Sequence, residues 1–132
     1  MDTGSVSALY AKVDSQSRVV FRIMGDQFVM IRDTVNGNPT LSNYVDLDKR
    51  QTTLFNACDD TYSKVIASFK LGSYYNCCNP LLACSEHVEQ IVQLIDGFEF
   101  QHEEHSSCMI KHKSVFSEFA ESLRRLNDAI LE

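Results

Sequence analysis

The spacing of hydrophobic and polar positions changes part-way along the chain. Up to about residue 55, apolar residues alternate with polar ones or gather in short runs. Val6, Ala8 and Tyr10 interleave with Ser7, Leu9 and Ala11. Val19-Val20-Phe21-Arg22-Ile23 and Gln27-Phe28-Val29-Met30-Ile31-Arg32 follow, rich in β-branched and aromatic residues. That composition suits pleated, half-buried strands. Gly25-Asp26 lies between these two runs and reads as a tight connection. Thr34 to Pro39 contains an Asn-Gly pair, which suits turn positions with positive φ. Leu41 to Leu47 and Thr52 to Phe55 supply further strands. Connections this short cannot make parallel crossovers, so the pattern predicts an antiparallel β-meander of four to five strands.

From residue 56 onward the period is helical. Cys58, Tyr62, Val65, Ile66 and Phe69 form one apolar stripe, with Asn56 or Asp59 to cap its start and Gly72 just past its end. Val88, Ile91, Val92 and Ile95 form a second, with Ser85 as N-cap and Gly97 as the stop. Phe116, Phe119, Ala120, Leu123, Leu126 and Ile130 form a third and longest stripe, capped by Ser114. Glu121 precedes Arg124 and Arg125 by three and four residues, where ion pairs support a helix. Phe98-Glu99-Phe100 and Met109-Ile110 are short enough for strands. The resulting expectation is an α+β single domain over residues 1–132. Residues 5–55 would be strand-rich, and 56–132 would supply about three amphipathic helices that pack on the sheet.

Length and composition agree with one domain and narrow the function. The chain has 132 residues, 44% of them hydrophobic and 23% charged, with 5 Gly and 2 Pro. These values exclude collagen-like and disordered classes. A net charge of −6 excludes a generally basic nucleic-acid binder. That charge is not spread evenly. Residues 1–70 carry eight basic and eight acidic side chains, whereas residues 71–132 carry four against ten. No apolar run approaches the ~20 residues of a membrane span. The opening residues lack the basic and apolar regions of a secretory signal. Asn38, the one glycosylation candidate, is followed by Pro39. The expected location is therefore cytoplasmic or nuclear. An odd count of 5 Cys fits reduced thiols better than a disulfide framework.

Little in the sequence points to catalysis. No phosphate-binding glycine loop and no nucleophile elbow is present. His102-Glu103-Glu104-His105 lacks the i, i+4 histidine spacing of a zinc protease. Asp59-Asp60 lies at an expected helix start, where acids favour the dipole. The Cys/His-rich segment offers Cys84, His87, His105 and Cys108 as an alternative zinc set, because short Cys-x-x-His and His-x-x-Cys spacings can share a tetrahedral ion. The simpler reading makes these cysteines small core residues and leaves the protein without a cofactor. The expectation is a protein without enzymatic activity.

Two contact surfaces remain. The C-terminal stripe could extend its seam to a protein partner or a second copy, with Phe116, Phe119, Leu123, Leu126 and Ile130 as anchors. The strand half carries Arg18, Arg22, Arg32, Lys49 and Arg50 among Phe28 and Tyr44, a mixture that can stack on and track single-stranded nucleic acid. Residues 28–33, the glycine turn, Val45-Asp46-Leu47 and Thr53-Leu54 with the following helix resemble the strand pattern of single-strand-binding transcriptional coactivators of the positive-cofactor-four type. That likeness spans about 45 residues and implies a nucleic-acid-binding sheet, although the family's basic loop is missing. Cys108 to His112, running into Ser114 and Phe116, is similar to the closing strand and helix of pleckstrin-homology-like interaction domains. Neither resemblance extends to a family assignment. The leading expectation is a non-catalytic interaction or assembly module, with a single-strand binder using residues 18–55 as the alternative.

Overall fold

The computed structural model describes all 132 residues and contains no strand. Five helices make up nearly the whole chain: α1 (Thr3–Gly37), α2 (Ser42–Lys70), α3 (Cys78–Asp96), α4 (Glu103–Lys111) and α5 (Lys113–Leu131). A short 3₁₀ turn, Tyr74–Cys77, joins α2 to α3. The expected α+β fold with its β-meander is therefore incorrect, and so are the sheet and the strands placed at Phe98–Phe100 and Met109–Ile110.

The reason is visible in the buried positions. Along α1 they are Val6, Val13, Ser17, Val20, Met24, Gln27 and Ile31. With half-buried Tyr10 included, the steps alternate between three and four residues. This is the heptad seam of bundled helices, not the period of two of a strand. Helix α2 repeats it through Tyr44, Asp48, Gln51, Phe55, Cys58, Tyr62, Val65 and Phe69. Two features hide the seam. Polar side chains hold several of its positions, and Val-, Ile- and Phe-rich neighbours imitate strand composition over any five residues. Gly25-Asp26 is not a turn at all, since it lies inside α1. Nor does the Asn-Gly pair make a strand hairpin. Gly37 ends α1, and residues 38–41 link two antiparallel helices.

The helical half stands closer to expectation. Gly72, at φ +70°, sits just past α2 and is the only residue with positive φ. Its N–H bonds Phe69 O at 3.0 Å, and the Ser73 N–H bonds Ser68 O at 3.0 Å. Those two bonds are the Schellman closure that glycine permits. Other boundaries differ. Helix α2 begins at Ser42 rather than near residue 56, and α3 begins at Cys78. Ser85 is therefore an internal residue whose hydroxyl donates to Leu82 O, not a cap. Ser114 lies inside the first turn of α5, which has no side-chain cap.

Helices α1, α2, α3 and α5 form an up-down-up-down four-helix bundle, each packed antiparallel to its chain neighbour, with α5 closing against α1. Cross-bundle pairs show the direction. Tyr10 stacks on Phe69 while Arg32 bridges Asp48, so α1 and α2 run oppositely. Lys113 pairs with Asp96, and Arg124 with Glu89, so α3 and α5 do too. The core contains Phe116, Phe119, Leu123, Leu126 and Ile130 with their partners on the other helices, all fully buried. Lengths then impose a problem. At about 1.5 Å per residue, α1 and α2 outlast α3 and α5 by roughly 15–24 Å. The overhanging tip buries Ile31 and Tyr44 nonetheless. Residues 97–112 cover it, with Phe98, Phe100 and Met109 packed on the core.

Candidate functional site

The two ends of the bundle differ in chemistry, and both bear on function. At the end formed by the α2–α3 connection, large apolar side chains face solvent. Leu71 is 81% exposed, Tyr75 65% and Leu82 40%. Beneath them Tyr10 stacks on Phe69 at 3.7 Å between ring centroids, and Phe69 meets Tyr74 at 4.9 Å. The Schellman closure at Gly72 fixes the turn that presents Leu71 and Tyr75. The exposed side chains thus stand on a rigid base, which lowers the ordering cost of a contact made there.

The opposite end is polar and built around His105 of α4. Tyr44 is fully buried, and its hydroxyl meets His105 Nδ1 at 3.1 Å. The same hydroxyl accepts the Gln101 backbone N–H at 3.1 Å. On the other side of the ring, His105 Nε2 lies 3.4 Å from Thr34 Oγ1. Thr34 spends its own hydrogen on Met30 O, at 2.8 Å. Gln27 Nε2 adds a bond to Cys108 O at 3.2 Å, tying α1 to α4. An open cleft beside this network is lined by Thr34, His102, Glu103, Glu104 and His105. Desolvation chiefly, then the neighbouring His102, hold His105 below the ordinary imidazole value, while Glu104 opposes them.

The residues singled out in the sequence fall in several places. Phe116, Phe119, Leu123, Leu126 and Ile130 are spent on the bundle's own core, so the folded chain offers none of them to a partner. The basic residues do not share a sheet, because none exists. Arg18 pairs with Asp14 and Arg50 with Asp46. Arg32 donates to both Asp48 oxygens at 3.0 Å and lies over the Phe28 ring. Tyr44 is buried, while Arg22 and Lys49 are exposed on α1 and α2. Lys49 and Arg50 line a shallow groove with Thr53, Gln90 and Gln93.

The four residues of the alternative zinc set do not meet. Cys84 is buried, and its thiol contacts Cys58 O at 3.8 Å. His87 bonds Gln90 on its own helix, and His105 belongs to the tyrosine network. No group of three or more His, Cys, Asp or Glu side chains is placed to hold a metal ion. What sequence reasoning missed are the contacts of Tyr44 with His105 and the exposure of Leu71 and Tyr75. The positions of Leu71 and Tyr75 flanking Gly72 were a usable signal, since residues beside a helix stop sit at a bundle end. No helix is long and apolar enough to cross a membrane. No protein-family model, curated protein or solved structure matches this chain.

Proposed function

We propose that the protein is a non-catalytic interaction module, and that it binds a protein partner through the apolar end formed by the α2–α3 connection. The observation that carries this reading is the exposure of Leu71, Tyr75 and Leu82 together at that end. A large aromatic and two leucines in contact with water have no role in the bundle's own core. Exposed aromatic and aliphatic anchors rimmed by polar residues are the usual material of a protein contact. Lys70, Asn76 and Asn79 supply such a rim. The four-helix scaffold holds the anchors still.

The test compares the protein with a Leu71→Asp/Tyr75→Asp variant as baits for bound proteins, and by sedimentation for self-association. Circular dichroism should show equal helix content, because both side chains are exposed. Partners or dimers kept by the wild-type chain and lost by the variant support the reading. Identical partners and identical mass for both would sink it.

A further inference from the structure

We infer that residues 97–111 form an acid-releasable lid, latched shut over the tip of the α1–α2 hairpin by the neutral imidazole of His105. The hydrogen-bond directions carry the argument. The Tyr44 hydroxyl oxygen accepts from Gln101 N–H, which leaves its hydrogen to be donated to His105 Nδ1, 3.1 Å away, the acceptor within reach. Thr34 donates to Met30 O, so its oxygen is free to accept from His105 Nε2. Every donor and acceptor is satisfied when His105 carries a single proton, on Nε2. The chain runs one way, from Gln101 through Tyr44 and His105 to Thr34 and Met30.

A second proton breaks this order. Protonated Nδ1 becomes a donor aimed at a hydroxyl that already accepts from Gln101. Tyr44 would have to turn its hydrogen away inside a fully buried site, leaving it without an acceptor. The groups facing His105 do little to offset the added charge. Thr34 of α1 and Tyr44 of α2 are neutral, and the Phe98 ring packs against Tyr44. Within α4 and its cap, the His102 ring lies 5.1 Å away and disfavours added charge on His105. Glu104 is the opposing carboxylate, and Glu103 lies with it on the exposed cleft wall. Release would uncover Ile31 and Tyr44, the apolar tip that α3 and α5 are too short to reach.

His105 is held below its ordinary value in the folded chain. Its contribution to lid closure is therefore complete above about pH 6.5 and is lost as pH falls through the folded value. Each unit of lowering makes the closing equilibrium about tenfold weaker at acid pH.

The experiment is hydrogen exchange at pH 7.5 and 5.5, corrected for intrinsic rates, together with an NMR titration of His105. In the wild-type protein, amides of residues 97–111 should lose protection severalfold at pH 5.5 while those of α3 and α5 keep theirs. The loss should vanish in His105→Gln and persist in His102→Gln. Should His105→Gln fail to fold, Tyr44→Phe keeps the ring and removes the hydroxyl. It should bring the His105 midpoint up toward the ordinary value and shrink the acid-induced loss of lid protection to match. A wild-type lid indifferent to pH overturns the inference, and so does an acid response unchanged in His105→Gln, or one that stays at full size in Tyr44→Phe while the His105 midpoint rises.

Discussion

Replacing Gly25 by alanine is a direct test of the helical seam, because the two possible settings of this residue predict opposite signs. In the bundle Gly25 lies well inside a 35-residue helix. A Cβ built there meets nothing within 4 Å. The substitution therefore removes the backbone entropy cost of glycine without a steric penalty, and should stabilise the protein by about 0.8–1.0 kcal/mol. For a domain of this size that corresponds to a rise in Tm of roughly 3–5 °C. Had Gly25-Asp26 formed a tight strand connection with positive φ, alanine would instead cost about 1 kcal/mol. Gly72→Ala supplies the contrasting case. There φ is +70°, so alanine should destabilise although the space around it is equally open. Urea unfolding followed at 222 nm measures both. A Gly25→Ala midpoint at or below wild type would refute the continuous α1 helix.

Two further predictions test the core. Phe119→Ala should cost about 3–5 kcal/mol in urea unfolding, since its ring is fully buried between those of Phe21 and Tyr62; a cost below 1 kcal/mol would place it at a surface. Thiol labelling at pH 8 followed by mass spectrometry should modify half-buried Cys78 and Cys108 first, leaving Cys58, Cys77 and Cys84 protected until unfolding. Burial pushes the Cys77 thiol up to about 11, with Cys78 adding to the shift. The hydrogen bond to Cys84, followed by burial, holds Cys58 protonated above the ordinary thiol range. Equal labelling rates at all five sites would contradict this burial.

The sequence disclosed its helices where the seam is purely apolar and concealed them where it is mixed. Helix α5 places Phe116, Phe119, Leu123, Leu126 and Ile130 on one line without interruption, and its identity follows from period alone. In α1 the same line passes through Ser17 and Gln27, and in α2 through Asp48 and Gln51. Ser17 is satisfied inside α1 by Asp14 O, but the other three are satisfied by bonds that only the assembled bundle supplies. Gln27 reaches Cys108 O, Gln51 reaches Phe28 O, and Asp48 holds Arg32. Local periodicity has no access to partners 16 to 81 residues away. What buries the α5 stripe was illegible for a related reason. An apolar stripe shows that a face is buried but not against what, and in a four-helix bundle the strongest stripe faces the core.

Helix length, more than composition, separates the chemistry of the two ends. At the α2–α3 end the helices finish close to one another, so no extra cover is needed and Leu71 and Tyr75 remain in water. At the other end α1 and α2 run past their neighbours, and the apolar tip is sheltered by a segment with a single nine-residue helix. That segment includes few residues of the heptad core, so its closure rests more heavily on polar contacts. Among these, the bonds of Tyr44 and Thr34 to His105 are the ones that protons in the physiological range can alter. A bundle with four equal helices would need no such cover and could carry no such device. Shortening the α1–α2 hairpin should therefore remove the acid response while leaving the apolar end intact, which separates the lid from the contact surface.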